Sequence, residues 1–343
     1  MTRNWKTLIA IAVWASSHAM LAQAPITILD IQAENRVSYF HDIWDYSKIA
    51  SDPGIAKPLR PIKPFQSATD INDIVAVNGK PAKGTWVNRC DPQVGLDPNA
   101  VHGAPLPRAI ADVKRSCLIH HYFEILQPDG TPIGTIMLSG MNGGDPPPGS
   151  PSAIARDNVT VIGGTGAFLG ARGQAGNVNA IGSASFRITS ISEDPANRRL
   201  NGGTAARFII HLIPMSRPRI VSVFHSAGFT HVSEEKPARA GETLTLLASG
   251  LGPTRPGVDP GQPFTADPIQ VVNSPVEVLV NGTASDILSA NGVPGAVDRY
   301  AVSFRLPESV APGVTSLQVI SAWVASSEVK IAIQQKEKEN ERE

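Results

Sequence analysis

Hydrophobic and polar residues alternate along short stretches of the chain, and these stretches are rich in Val, Ile and Thr. Alternation places the apolar side chains on one face of an extended strand, and β-branched residues favour that conformation. Gly, Pro, Asn and Asp separate the stretches, as expected for turns. In the first part of the chain the pattern predicts strands at 26–40, 73–77, 84–89, 116–126, 131–139, 158–162, 174–180, 184–191 and 205–213.

No segment of this first part has a convincing helical period. A set of about eight strands without helices favours closure into an antiparallel barrel, because closure removes the exposed edges of an open sheet. Pro128-Asp129-Gly130 predicts a hairpin between 116–126 and 131–139, since proline presets φ and glycine accepts a positive φ. Asn201-Gly202-Gly203 predicts another turn.

The most distinctive segment is 158–173, which reads NVTVIGGTGAFLGARG. Its β-branched start predicts a strand, and Gly163, Gly164 and Gly166 supply the positive-φ or unhindered positions of a sharp turn. A phosphate-binding loop is the alternative for such a glycine-rich segment. That loop leads from a strand into a helix, whereas the residues after 173 have no helical period.

The pattern changes at Arg217-Pro218. Beyond this point short alternating strands are separated by Gly/Pro turns at intervals of about 8–12 residues, which is typical of a β-sandwich. The apolar residues predicted to share the buried sides of two of these strands are Val276, Val278 and Val280, and Val302, Phe304 and Leu306. The fold class is therefore all-β, with an export signal at 1–24, a barrel domain at 25–215, a sandwich domain at 218–333 and a charged, disordered tail at 334–343.

Composition supports a turn-rich globular protein and excludes one partner class. The 343 residues include 30 Gly and 29 Pro, 17% are charged and 42% are hydrophobic, which is ample for real cores. The formal net charge is +0, and Lys and Arg form no stripe. A nucleic-acid partner is not expected, because its binding surface needs such a stripe.

The first residues have the order of a signal peptide. Arg3 and Lys6 precede an apolar run, and small residues end at Ala24. The run is short for a bilayer span, so we predict no stable transmembrane anchor after processing, and a secreted, periplasmic or cell-surface location. In an oxidising compartment the two cysteines, Cys90 and Cys117, predict one disulfide. A reactive thiol pair and two buried free thiols are the alternatives.

Candidate chemistry lies on the strand at 116–126. Alternation places His120, Tyr122 and Glu124 on one face, and His121 on the other with Ile119, Phe123 and Ile125. If the first face points inward, the barrel holds a histidine, a phenol and a carboxylate that form an acid/base site. A solvated outer face is the alternative.

Arg172 either guides an anion, forms an ion pair or donates to a backbone carbonyl. No cluster has metal-ligand spacing, and no segment has a cofactor motif, so we predict neither a metal nor a cofactor.

The segment GGTGAFLGARG, with GTWVNRC and SCLIHHYFEILQPDGTPIGTIMLSG before it, resembles the allene oxide cyclase and dirigent-protein superfamily. The resemblance covers about 68–214 and implies an eight-stranded antiparallel barrel. Known members shape an apolar cavity around a reactive lipid or phenolic intermediate. The structural turn that the resemblance implies comprises Gly163, Gly164, Gly166, Phe168, Gly170 and Gly173.

The segments GETLTLLASGLGP, PVEVLVNGTASDIL, YAVSFRLPESVAPG and SSEVKIAI resemble an acidobacterial-type, C-terminal immunoglobulin-like module, akin to the IPT/TIG fold. In that module the motifs serve turns and packing, so the resemblance implies no catalytic role. It implies a partner surface for protein or carbohydrate.

Two functions follow as hypotheses. The first is an exported, non-catalytic binding, adhesion or scaffold protein whose barrel holds an apolar small ligand or acts as a scaffold. The second is a cyclase- or dirigent-like enzyme, which requires an open cavity lined by Tyr122, His120 or Glu124. A barrel filled with side chains favours the first hypothesis.

Overall fold

The structure is a computed structural model that describes residues 27–42, 66–93, 117–142, 156–178, 187–190, 193–259 and 261–334. The first group of strands comprises β1 (Thr27–Asp42), β2 (Gln66–Val77), β3 (Lys80–Pro81), β4 (Lys83–Gln93), β5 (Cys117–Leu126), β6 (Pro132–Asn142), β7 (Arg156–Gly166), β8 (Arg172–Asn177), β9 (Arg187–Ser190) and β10 (Thr204–Ile213). A 3₁₀ turn at Pro195–Asn197 and a short helix α1 (Arg198–Asn201) precede β10. The sequence pattern did not predict this helix. The predicted signal peptide and most of the tail lie outside the described residues.

Eight of these strands close into an antiparallel barrel. Their order is β1-β2-β4-β5-β6-β7-β8-β10, and β10 pairs with β1 to complete the circle. The predicted barrel is therefore confirmed. β3 only extends the edge of β2, and β9 runs parallel to the last residues of β1. Because α1 and the 3₁₀ turn separate β9 from β10, the Asn201-Gly202-Gly203 turn does not join two paired strands as we had expected.

Turns mark one end of the barrel, which we call the turn end. The Pro128–Gly130 hairpin joins β5 and β6 as predicted, with Gly130 at φ 92° and its N–H donating to the Gln127 carbonyl oxygen at 2.9 Å. At the opposite, distal end, Asp42 pairs with Gln66, and Gln66 pairs with Gln93.

The glycine-rich turn also lies at the turn end, but it begins later than predicted. β7 continues through Gly163 and Gly164 to Gly166, and the turn itself occupies 167–170. Gly164 is needed for close packing rather than for a turn, because a Cβ there would lie 2.5 Å from the Phe168 carbonyl oxygen and 2.6 Å from that of Thr135. Gly166 and Gly170 do have positive φ, at 61° and 71°. The turn sends Phe168 into the barrel core, where it is fully buried.

Aromatic rings fill the middle of the barrel. Trp86 stacks on Phe123 with ring centroids 5.2 Å apart, and Phe208 lies 5.1 Å from Trp86 and 5.4 Å from Phe123. All three rings are fully buried. Towards the turn end the other large buried residues of this core, apart from Phe168, are aliphatic: Leu29, Ile31, Ile74, Ile125, Ile133, Ile136, Ile210 and Leu212.

The remaining strands form two sheets around a second core. They are β11 (Arg219–His225), β12 (Thr243–Ser249), β13 (Thr254–Arg255), β14 (Val271–Val272), β15 (Val276–Val280), β16 (Thr283–Ala284), β17 (Asp286–Gly292), β18 (Tyr300–Arg305), β19 (Gly313–Ser321), β20 (Val324–Ala325) and β21 (Val329–Ile333). One sheet has the order β11-β12-β18-β17-β14-β13, and the other β16-β15-β19-β20 with β21 beside β19. The predicted buried faces are confirmed, since Val278, Val302, Phe304 and Leu306 have no exposed surface.

A hairpin from this second unit contacts the turn end of the barrel. Ala322 and Trp323 connect β19 to β20 with positive φ values of 46° and 65°. Ala322 belongs to the buried core of the barrel, and Trp323 packs against it. Lys80 and Glu277 add an ion pair across the contact. No helix in the described part of the chain is long and apolar enough to cross a membrane.

Candidate functional site: a polar layer inside the barrel

The structure places the predicted acid/base residues on the outside of the barrel. His121, with Ile119, Phe123 and Ile125, is buried in the interior, whereas His120 is exposed, Tyr122 is 38% exposed and Glu124 is half-buried on the outer face. The alternation is therefore as predicted, and of the two orientations left open it is the solvated outer face that carries His120, Tyr122 and Glu124. Stacking of the opposite face on Trp86 and Phe208 explains the orientation, because it buries the large apolar surface of β5.

Arg172 does not form an anion site. Its Nη1 donates to the Ile162 carbonyl oxygen at 2.7 Å and to the Ala171 carbonyl oxygen at 3.0 Å. The arginine therefore holds the strand end beside the glycine-rich turn, which is the backbone-carbonyl alternative.

A row of polar residues crosses four neighbouring strands inside the barrel. Ser38 of β1 lies opposite Asp70 of β2, Asp70 opposite Asn88 of β4, and Asn88 opposite His121 of β5. All four are buried, as are Arg36 and Asn72 beside the row. We call these six residues the polar layer. It lies on the distal side of the Trp86–Phe123 pair, and buried polar groups at this density need partners.

Arg36 and Asp70 satisfy each other within the layer. The Arg36 Nη2 and Nε atoms donate to Asp70 Oδ2 at 2.6 and 3.1 Å. Both residues are less than 9% exposed, so the attraction acts in a poorly screened environment. The pair contributes no net charge to the barrel interior.

His121 is neutral and has a fixed tautomer. The Trp86 indole N–H donates to its Nδ1 at 3.1 Å, so the ring proton is on Nε2. Burial, with smaller effects of Arg36 and His120, lowers the pKa of His121 to about 3. The Nε2–H group is buried and has no hydrogen-bond partner among the described residues. The Nε2–H group of His121 is therefore an unused hydrogen-bond donor inside the barrel.

Asn72 supplies the complementary group. Its Nδ2 donates to the Trp86 carbonyl oxygen at 3.0 Å, which fixes the amide. Its Oδ1 is buried and has no partner within the described part of the chain. An unsatisfied buried donor or acceptor costs about 1–3 kcal/mol, so the unpaired donor of His121 and the unpaired acceptor of Asn72 leave a cost to folding on two sides of Trp86.

A cluster of charges on the barrel wall supports the strand that carries Arg36. Arg199 Nε and Arg198 Nη2 both donate to Asp73, and Asn35 Nδ2 donates to it at 3.0 Å. Burial raises the pKa of Asp73, but the hydrogen bonds from Arg199 and Asn35 outweigh burial and lower it overall. These contacts to Asp73 anchor α1 to β2, so the two arginines have a structural role.

A concavity separate from the polar layer lies where the barrel turn meets the sandwich loops. It has a volume of about 450 Å³, and Leu169, Asp259, Val297 and Tyr300 are among its lining residues. Tyr300 donates to the Gly252 carbonyl oxygen at 2.6 Å, and burial raises its pKa. Among the described residues, no group of three His, Cys, Asp or Glu side chains could hold a metal ion.

Cys90 is buried on β4 and pairs in register with Ile119, two residues after Cys117. The side chain of Cys117 lies outside the described residues. The disulfide therefore stays a prediction.

Comparison with known proteins adds little to this geometry. No protein-family model and no curated protein matches the chain. One solved structure, a polysaccharide lyase, aligns with 94% of this chain at 8% identity and a TM-score of 0.18. The chain spans 42% of the length of that protein. Likeness at this level carries no argument about function, which must come from the barrel and its polar layer.

Proposed function

We propose that this is an exported binding protein whose barrel holds a small, neutral, polar molecule at the polar layer. The observation that carries the proposal is the pair of unpaired buried groups, His121 Nε2–H and Asn72 Oδ1, in a row of polar side chains. A ligand with one acceptor and one donor would satisfy both groups. The barrel belongs, on this proposal, to the allene oxide cyclase and dirigent type, and the sandwich to the immunoglobulin-like type.

Charge favours a neutral ligand over an ionic one. The Arg36–Asp70 pair is internally balanced and His121 is uncharged, so an ion in the layer would lack a counter-charge. The expectation of an apolar ligand gives way to a polar one, because the apolar part of the interior is already filled by side chains such as Trp86 and Phe208.

Binding is better supported than catalysis. A general base works best with a pKa near the operating pH, whereas the His121 pKa of about 3 is far below it and its Nδ1 already accepts a hydrogen bond. Tyr122 and His120, which the enzyme hypothesis needs in the cavity, lie on the outer face. The residues that the cyclase- or dirigent-like alternative needs in the cavity, Tyr122, His120 or Glu124, therefore lie outside the described barrel interior.

Native mass spectrometry of the mature protein, purified from its own host, tests the proposal. We expect a bound small molecule in the wild type that is absent from His121→Phe and from Asn72→Leu. Tyr122→Phe is the matched control, since it changes the adjacent, outward position of the same strand and should retain the ligand. The same spectra give the mature N-terminus and the mass deficit of a Cys90–Cys117 disulfide.

Two outcomes contradict the proposal. One is a wild-type protein that carries no small molecule, and the other is loss of the ligand in Tyr122→Phe but not in His121→Phe. The first outcome would favour a scaffold role. The second would indicate that the ligand binds at the outer face of β5, which carries Tyr122. Circular dichroism on each variant separates loss of ligand from loss of fold.

A further inference from the structure

A tight hairpin at one tip of the sandwich presents aromatic rings to solvent. β11 ends at His225, and the chain returns so that the His225 N–H donates to the Thr230 carbonyl oxygen and the Val232 N–H to that of Val223, both at 2.9 Å. Phe224 lies opposite His231 across this hairpin. The connecting turn therefore comprises residues 226–229.

Three rings gather at this turn, and we call them the aromatic tip: Phe224, Phe229 and His231. The Phe229 ring stacks on Phe224 with centroids 5.3 Å apart and 27° between the ring planes. The His231 ring meets Phe224 edge-on at 5.1 Å. Phe229 is 59% exposed although one face rests on Phe224, so its outer face is open.

The backbone holds Phe229 in an unfavourable conformation. Its φ is 52°, in the left-handed region that favours glycine and that a bulky side chain rarely adopts. The preceding Gly228 has a φ of 80°, so the turn uses two successive left-handed residues. A glycine at 229 would fit the turn better, which makes the exposed ring a cost to folding and points to a role in binding.

We propose that the aromatic tip binds a neutral glycan, with one sugar ring stacked on the outer face of Phe229. The C–H groups on a sugar face are polarised towards positive, and the face of an aromatic ring is negative, so the two surfaces attract each other. The surrounding polar groups fit the hydroxyls of such a ring. His231 Nδ1 contacts the Val232 carbonyl oxygen at 3.0 Å, which leaves Nε2 as an acceptor in the neutral ring, and Thr230 is exposed beside it.

Size and charge distinguish a glycan from larger partners. Stable protein interfaces bury about 800 Å² on each partner, far more than one exposed ring offers. An anionic membrane or an acidic polysaccharide needs a cluster of basic residues. The nearest exposed charged residues along the chain are Glu234, Glu235 and Lys236, which do not form such a cluster.

Affinity electrophoresis of the full mature chain tests the proposal. The probes are soluble neutral glucans and mannans, with alginate as the anionic comparison. We expect a neutral glycan to retard the protein and alginate to have no effect. Phe229→Gly removes the ring and relieves the left-handed strain, so it should fold at least as well as the wild type while losing about tenfold in affinity.

Leu288→Ala is the matched control, because Leu288 is an exposed apolar residue elsewhere on the sandwich. It should bind as the wild type does. Equal retardation of wild type and Phe229→Gly overturns the proposal, as does a wild type that none of the neutral glycans retards. The aromatic tip is independent of the polar layer, so loss of the barrel ligand and loss of glycan binding are separate outcomes.

Discussion

The two interiors of this molecule differ in what they bury. The described barrel buries the charged residues Arg36 and Asp70. Unpaired buried groups occur in both units, at His121 and Asn72 in the barrel and at Ser274 in the sandwich. The buried polar residues of the described sandwich are all uncharged: Thr245, Thr254, Gln270, Ser274, Thr315, Ser321 and Ser326. Several of them form hydrogen bonds within the sandwich; for example, Ser321 Oγ donates to the Leu251 carbonyl oxygen at 2.7 Å.

The surfaces of the two units differ in the aromatic residues that they expose. Phe229 at the tip of the sandwich is 59% exposed and has a positive φ, whereas Tyr122, 38% exposed on the barrel, lies in the regular strand β5. On the two proposals made above, the buried charge of one unit and the exposed, strained aromatic residue of the other each serve binding. The two proposals therefore assign the binding site of the barrel to its interior and that of the sandwich to its surface.

The variant with the largest expected effect on the free energy of unfolding removes a buried charge from the barrel. In Arg36→Met the Asp70 carboxylate keeps its burial but loses the guanidinium, so we expect a loss of about 3–5 kcal/mol in the free energy of unfolding. Thr245→Val in the sandwich, which removes hydroxyl contacts to Ser226 and Ser303, should cost only about 1 kcal/mol. Urea denaturation measures both.

The double variant Arg36→Met/Asp70→Leu is the control for that experiment. Replacing a whole buried pair by apolar residues is often neutral, so most of the loss should be recovered. If the single variant unfolds at the wild-type urea concentration, the ion pair is effectively solvated and the contrast between the two interiors fails.

The polar layer also explains which part of the fold the sequence could predict. Alternation located β5 and β10 to within a residue, because their inward residues are apolar except for His121. β2 begins at Gln66, seven residues before its predicted start at Asp73, because its inward residues there include Asp70 and Asn72. A search for alternating apolar residues cannot find a strand segment whose buried face is polar, so Asp70 and Asn72 of the polar layer fell outside the predicted strands.

The orientation of β5 could not be predicted for a related reason. Both of its faces mix aromatic, polar and aliphatic residues, so alternation gave two candidate faces with no basis for choosing between them. The choice depends on Trp86 and Phe208, which come from strands distant in sequence. Tertiary contacts of this kind lie outside any local pattern.

Alanine substitution at two adjacent glycines of the barrel wall should cause smaller losses of stability, and these losses should differ between the two positions. In Gly164→Ala the new methyl group would lie 2.5 Å from the Phe168 carbonyl oxygen, so we expect a loss of about 2–3 kcal/mol. In Gly163→Ala the nearest atom is Arg172 Nη1 at 3.8 Å, and the change should stay within about 0.5 kcal/mol. Thermal unfolding of the pair distinguishes a packing role from a turn role, and equal destabilisation would contradict the packing account.

His121 predicts a pH dependence that originates in the barrel. Its pKa is about 3 when folded and near 6.5 when unfolded, so between these values the unfolded chain binds more protons. Stability therefore falls as the pH drops below 6.5, by about 2 kcal/mol between pH 7 and pH 5. His121→Phe should lose this part of the dependence. An identical pH profile in wild type and variant would show that His121 titrates normally.

The smallest expected effect lies on the outside of the barrel. Glu193 accepts from both Nη atoms of Arg187, at 2.7 and 2.8 Å, and from the Thr189 hydroxyl at 2.8 Å, and these bonds lower its pKa to about 2. The carboxylate thus contributes stability above its unfolded pKa of about 4.5, and this contribution is lost as the pH falls towards 2. The protection factors of the β9 amides, which correct the exchange rates for their intrinsic pH dependence, should fall over that range in the wild type. In Glu193→Gln the protection of these amides should already be low at pH 5, because the charge that holds Arg187 is absent. High protection in the variant would mean that the parallel pairing of β9 with β1 holds this segment without the ion pair.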